Sequence, residues 1–573
     1  MSLFDDFPRG RPNYPSRHDQ LGTASWRTDL PVWREGAIWL GHDDGGRDIG
    51  YADDRHIVTI AGSRAGKGRS VLIPNALRWP GSAFFLDPKG ENATLTATKR
   101  AERRGHIVAV LDPKRVANVP DECRVSFNPL TLIDGDDDDA LDYAAAIGDA
   151  LMISGSDKDV HWTESARGII EALILHVATT EIGTARSLVR VRQLLTIGDP
   201  DYADMLNAEE ATKGDKARKF SPFDALWRSM SSSIARNDAV RDVIRGAAHS
   251  ILDMGENERG SVLSTARRNT AFLSSSWMRR CLEGDGDNVL DIDLLKTAPK
   301  GMSLYVCLPA RFLPTHARLL RLMLGLSLYK MEEQGLEKPA CGHPVLFFLD
   351  EFAALGRMES IEKAAGLMAG FGVKLWAVLQ DLGQLQQHFR FSWQTFLANA
   401  GILQFFANSD MTTLEWISKR LGQIELIRET KGQSSSSSTQ VSKSQGKTET
   451  SGWSRSTGKS EGYSEMPDLS QIAARDAGSG LIPYMARSNA SGTGQNVSAS
   501  IQDGQSGGES IQRGDSASSG NSESQTKTES IHRTPLLNPD EIARLLDRST
   551  SRQLVFLDNQ AAILKRVNWD EMD

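Results

Sequence analysis

No stretch of this 573-residue chain is apolar for long enough to cross a bilayer. The richest windows, Ile169 to Val177 and Val345 to Leu355, are too short or carry charge, whereas a spanning helix takes roughly 20 apolar residues. The first thirty residues are polar and broken by proline, so a signal-peptide core is missing too, and the polypeptide is expected to be soluble by itself. Cysteine is scarce. Cys123, Cys281, Cys307 and Cys341 stand far apart, with no C-x-x-C pair and no histidine doublet, which fits a reducing compartment and argues against structural zinc. A surplus of positive charge is also lacking: a formal net charge of -8 argues against a uniformly basic nucleic-acid coat protein and leaves room for a local basic channel.

What is present is a chain long enough for two or three domains, with nucleotide chemistry at two strand ends. His56 to Ile60 runs into Ala61-Gly62-Ser63-Arg64-Ala65-Gly66-Lys67-Gly68-Arg69, a glycine-rich turn whose backbone N–H groups can wrap a polyphosphate while Lys67 reaches its β and γ phosphates. Gly62, Gly66 and Gly68 stand where a side chain would block that approach. Val345 to Leu349 runs into Asp350-Glu351, a carboxylate pair at the carboxyl end of a buried strand. Each signal alone has a plainer reading, a surface turn or a solvated strand end. Both together, in this order, imply an ATPase. The phosphate-loop pattern departs from G-x-x-x-x-G-K-[ST] at Ala61 and Gly68. Without the usual hydroxyl after the lysine, Mg²⁺ is left to the phosphates, water and Asp350.

The pattern predicts an α/β fold. Residues 37–134 read as the first part of a nucleotide-binding domain, with strands at Ala83 to Leu86 and Ile107 to Leu111 and helices at Arg69 to Arg78 and Glu91 to Arg104. Residues 135–295, whose helical stretch follows the acidic run Asp134 to Asp139, read as an all-α insertion; Trp162 is expected in its core. Residues 296–429 resume the alternation, with strands Ser303 to Leu308, Val345 to Leu349, Val373 to Leu379 and Ile402 to Phe406. Residues 1–36 are expected to be flexible. The Ser/Gly/Gln-rich residues 430–532 are expected to be disordered, with a short docking helix near Leu469 to Met485 as the alternative to local compaction. Residues 533–573 return to the nucleotide-binding domain through a helix capped by Asn538 or Asp540 and two short strands.

Several pieces in order carry a family resemblance: Ala61 to Glu91, Phe127-Asn128-Pro129-Leu130, Trp162 with Ser165-Ala166-Arg167, Leu349-Asp350-Glu351-Phe352, Gln380-Asp381-Leu382-Gly383-Gln384-Leu385, and Pro535-Leu536-Leu537 with Asp540-Glu541. The chain resembles the type IV secretion coupling proteins of conjugation systems, the TraG-type branch of the FtsK-like motors. That branch often has glycine after the phosphate-loop lysine, as Gly68 does here. The resemblance implies a RecA-like P-loop NTPase domain with a mostly parallel sheet, ATP and Mg²⁺ as cofactors, and a homo-hexamer. It further implies that single-stranded DNA with its relaxase, or protein effectors, is passed to the secretion channel. It assigns the metal to Asp350, the water-activating base to Glu351 and the γ-phosphate sensor to Gln380, where a structural cap is the plainer reading.

The transmembrane hairpin common in the family has no counterpart here, so the expectation is a cytoplasmic protein that meets the inner membrane through a partner. The arginine some relatives place before the Gln380 strand is missing too, leaving Arg357, Arg420 or Lys374 as substitutes. Asp87 and Lys89 can line the nucleotide crevice or a ring pore, or form an ordinary Asp-Pro turn. Two cationic runs, Lys99-Arg100-Arg103-Arg104 and Lys213-Lys216-Arg218-Lys219, can track phosphates or be solvated faces. The rival functions are a soluble DNA translocase or packaging ATPase not linked to secretion, and a nucleotide-binding cargo adaptor without motor activity.

Overall fold

The computed structural model describes residues 24–153, 160–212, 218–284, 288–390, 392–441, 456–461, 497–502 and 517–572. Its strands are β1 (Ile38–His42), β2 (Asp48–Tyr51), β3 (His56–Ala61), β4 (Ala83–Asp87), β5 (Ile107–Leu111), β6 (Met302–Cys307), β7 (Val345–Leu349), β8 (Val373–Leu379), β9 (Ala400–Phe406), β10 (Gln423–Val441), β11 (Ser456–Glu461), β12 (Val497–Gln502), β13 (Ala517–Pro535), β14 (Arg552–Leu557) and β15 (Gln560–Lys565).

Eleven of these strands form one sheet in the order β2-β1-β15-β14-β9-β3-β8-β7-β4-β6-β5. From β9 to β5 every pairing is parallel, and β14, β15, β1 and β2 extend the sheet antiparallel. Parallel strands covered on both faces need apolar residues at successive positions, which is why Val-Leu-Phe-Phe-Leu at β7 and Ala-Phe-Phe-Leu at β4 are buried throughout. One face carries a row of stacked rings, with Phe85 4.4 Å from Tyr305 and 4.6 Å from Phe348, and Phe348 5.4 Å from Trp376. A buried polar line ties the parallel and antiparallel halves together. Trp376 Nε1 donates to Thr59 Oγ1 (2.9 Å), Thr59 to Gln404 (2.8 Å), Gln404 to Gln553, and Gln553 to the Leu40 carbonyl.

Between β5 and β6 the described residues hold helices and nothing more extended than isolated bridges, among them Ala140–Leu151, Val160–Thr180, Asp238–Asp253 and Glu256–Asn269. Their apolar stripes join the same core cluster as the sheet, and Trp162 packs half-buried against it. His176 lies buried in the Val160–Thr180 helix, and burial pushes its imidazole down to about 4 from 6.5. Between these values the unfolded chain takes up a proton that the folded chain refuses, so stability present at neutral pH is lost as pH falls. His176→Leu is expected to flatten the drop in melting temperature between pH 7 and 5; an unchanged slope contradicts this.

Two expectations differ from the structure. Residues 24–36, read as flexible, are fastened to the sheet: the Arg27 N–H donates to the Ala561 carbonyl (2.7 Å) and the Trp33 N–H to Asp48 (2.9 Å). Of residues 430–532, read as disordered, the described ones are strands of a second compact unit, β10 pairing with β13 and β11 with β12. Low apolar content weakens a packed core, yet strand pairing satisfies backbone groups without one. The docking helix near Leu469 to Met485 lies outside the described residues. No helix of the described residues is long and apolar enough to cross a membrane.

Candidate nucleotide-binding site

Because β3, β8, β7 and β4 run parallel side by side, their carboxyl ends meet at one edge of the sheet. There the loop of residues 61–68 follows β3, Gln380 follows β8, Asp350-Glu351 follows β7, and Asp87 closes β4. The loop bends through left-handed positions at Arg64 (φ 57°) and Gly66 (φ 83°), a conformation that turns successive N–H groups to one side. A Cβ at Gly62 would collide with the Ala407 carbonyl oxygen, so this glycine is required for close approach. At Gly68 a Cβ would meet nothing within 4 Å. The loop leads into a π-helical turn at Gly68–Leu72 and an α-helix at Ile73–Arg78, where a continuous helix was expected.

Lys67 is half-buried, with Nζ 3.3 Å from the Ala61 carbonyl. Burial lowers its pKa, while the charges of Asp350 and Glu351 oppose that shift. Burial pushes Asp350 up to about 6, helped by the charge of Glu351 and countered by Lys67 and Lys89. Glu351 adopts a left-handed backbone (φ 65°), and its Oε1 accepts from Gln380 Nε2 at 3.4 Å. The Gln380 N–H is itself fixed by Gln384 Oε1 (2.9 Å). Behind the acidic pair, Arg321 donates to the carbonyls of Leu355 (2.8 Å), Arg357 (2.7 Å) and Ala150 (3.1 Å), bracing the turn after Glu351 against the end of the Ala140–Leu151 helix.

These residues fit a magnesium–triphosphate. A partly desolvated lysine faces two carboxylates beside a loop with left-handed turns at Arg64 and Gly66, so phosphate oxygens and a cation would balance charges now crowded together. No cluster of three metal-ligating side chains stands among the described residues, so a cation here would draw most of its oxygens from ligand and water, as Mg²⁺ does.

Other sequence candidates are placed differently. Asp87 is buried and accepts from the Ala93 N–H (2.8 Å) at the start of the Glu91–Arg104 helix, so it caps that helix and does not line a pore. Burial pushes it up to about 7. Arg100 is buried against Ser303 and the carbonyls of Ala76, Trp79 and Gly81, Lys99 lies over the Trp569 ring, and Arg104 pairs with Glu35. Of that run, only Arg103 is exposed without such a partner among the described residues. Lys213 and Lys216 lie outside the described residues; Arg218 and Lys219 are exposed. Lys374 is buried near the amino end of β8, bonded to the Asp53 carbonyl, and cannot reach a neighbouring subunit. Arg420 bonds Asn559 (2.7 Å) and covers Trp416 and Phe556. Arg357 projects, its side chain 63% exposed beside Glu362. Arg321 and Arg566 at the site were missed by sequence reasoning, because a lone arginine with carbonyl partners remote in sequence leaves no local pattern.

Placing one strand, β8, between the phosphate-loop strand and the acidic strand is the arrangement of RecA-like P-loop proteins, and that is the class the fold defines. In solved structures the bacterial conjugative coupling protein TrwBdeltaN70, in an unbound monoclinic form, superposes with a TM-score of 0.53 at 15% identity, covering 94% of this chain and 89% of that one. The chain belongs to the Type IV secretory system Conjugative DNA transfer family, whose profile matches residues 18–455. Among relatives, the conjugal transfer protein TraG of Escherichia coli is 26% identical over 408 residues, covering 68% of this chain and 58% of that protein. Protein VirD4 of Agrobacterium fabrum (strain C58 / ATCC 33970) is 27% identical over 439 residues, covering 71% and 57%. The chain thus spans between half and two thirds of the length of these curated relatives.

Proposed function

We propose that this chain is the ATP-hydrolysing coupling protein of a type IV secretion system, recruiting single-stranded DNA with its relaxase, or protein effectors, to the secretion channel. The observation that carries the reading is the Gln380–Glu351 contact beside Lys67, in a chain whose family is defined by conjugative DNA transfer. The phosphate loop and Lys67 bind the triphosphate. Asp350 would hold Mg²⁺, chiefly through water, and the bound ion would supply charge neutralisation at the phosphates. Glu351 takes the proton of the attacking water, and the Gln380 amide, already aligned on Glu351, orients that water. Arg357 is the exposed cation that reaches the neighbouring subunit's nucleotide in a homo-hexamer working on the cytoplasmic side, with membrane contact through a partner. A related structure, TrwB in complex with ADP and Mg²⁺ (TM-score 0.50), supports these cofactors.

Asp350 must be ionised to attract the cation, and its pKa lies near 6. The magnesium concentration for half-maximal hydrolysis is therefore expected to rise as pH falls from 8 through 6, and a pH-independent requirement contradicts the assignment. The function itself is tested by deleting the gene in its own host. Loss of DNA or effector transfer, restored by the wild-type gene and not by Lys67→Ala, is expected; transfer of both unaffected by the deletion overturns the reading.

A further inference from the structure

Arg566 follows β15 and is almost fully buried, and among the described residues no carboxylate balances its charge. Its guanidinium lies over the Phe406 ring, 4.3 Å from the centroid, and Nη1 donates to the Ala65 carbonyl (2.8 Å) and to Ser70 Oγ (3.4 Å). Ser70 Oγ in turn donates to the Gly66 carbonyl (2.9 Å), which also accepts the Ser70 N–H (2.9 Å). The backbone around Arg566 is anchored as well: its own N–H donates to the Ser551 carbonyl (2.8 Å). Three residues on, Trp569 lies under Lys99, and Asp570 pairs with Arg69, whose Nε is 2.7 Å from Asp570 Oδ1.

In a trans peptide the C=O and the N–H of the same unit point opposite ways. Holding the Ala65 carbonyl outward therefore turns the Gly66 N–H inward, and holding the Gly66 carbonyl outward turns the Lys67 N–H inward. These are the amides that a phosphate loop presents to its ligand. A buried cation without an anion is costly unless it is hydrogen-bonded, and Arg566 directs Nη1 to the phosphate loop and to Ser70.

The geometry points to Arg566, working through Ser70, as a positioning residue that aims the Gly66 and Lys67 amides at the phosphates. The catalytic loop is thus completed by a segment about five hundred positions away, after the second compact unit. This rests on the nucleotide-binding reading. It makes the C-terminal segment part of the phosphate site, with Asp570 and Trp569 holding it down.

The test measures dissociation constants for Mg-ATP, Mg-ADP and adenosine, with kcat and KM for ATP, in the full chain carrying Arg566→Met, Arg566→Lys or Ser70→Ala. Arg566→Met is expected to raise Kd and KM at least tenfold for ATP and ADP alike, with kcat falling less than threefold and adenosine binding unchanged. Arg566→Lys should recover most of the loss, and Ser70→Ala should raise Kd two- to fivefold. Variants that fold with wild-type melting temperatures and bind ATP within twofold of wild type overturn the proposal. If Arg566→Met fails to fold, Ser70→Ala decides: unchanged ATP affinity there also overturns it. A wild-type chain that binds no ATP sinks the nucleotide reading instead.

Discussion

Lys67→Ala is expected to cut ATP turnover by about a hundredfold to a thousandfold, the scale for removing one preorganised donor from developing charge, and to weaken ATP binding. The structure gives the reason in the ligand-free state. Lys67 is the first cation opposing the raised pKa of Asp350, and it is held half-desolvated between the loop and the acidic pair. Without it, two carboxylates would face incoming phosphates with Lys89 as the remaining counter-charge beside Asp350. Asp350 should then titrate higher still, so the magnesium requirement at neutral pH should rise as well. Equilibrium binding of a fluorescent ATP analogue across a magnesium series measures both effects. Binding within threefold of wild type would show that the loop holds phosphate through its amides alone.

Glu351→Gln is expected to separate binding from chemistry. The amide keeps the size and the contact to Gln380, whereas the capacity to accept a proton is gone, a loss of about a hundredfold to ten-thousandfold in hydrolysis for a general base. ATP affinity should hold or improve, because one negative charge leaves the vicinity of Asp350 and the phosphates. Single-turnover hydrolysis beside ATP binding reads the two quantities separately. Turnover reduced less than tenfold would move the base to another residue. Replacing Glu351 by alanine is the less informative change, since a left-handed backbone at φ 65° is held there with the side chain anchored.

The central strands were legible because sheets covered on both faces write continuous apolar runs bounded by Asp, Gly and Pro. Val345–Leu349, Ile107–Leu111 and Val373–Leu379 match their expected bounds for that reason. The Glu91–Arg104 helix matches too, ending on the left-handed Gly105. Its charge run was harder to read. Composition suggests a solvated face, but Asn92, Thr96 and Arg100 recur every fourth residue and share the stripe that faces the sheet. Lys374 carried a comparable signal, since one lysine inside Val-Lys-Leu-Trp-Ala-Val-Leu has no exposed face in a central strand. The antiparallel extension by β14, β15, β1 and β2 depends on pairings between chain ends, which no local pattern encodes. The residues that brace the site, Arg321 behind Glu351 and Arg566 behind the phosphate loop, escape for the same reason. Their partners are backbone carbonyls, available at any residue, and nothing near either arginine in sequence marks them.

Steady-state ATP hydrolysis by the purified full chain, with and without single-stranded and double-stranded DNA, tests the central claim most directly when run beside Lys67→Ala and Glu351→Gln. The account predicts hydrolysis that single-stranded DNA stimulates and that both substitutions cut sharply. Hydrolysis indifferent to DNA and to both residues would contradict it.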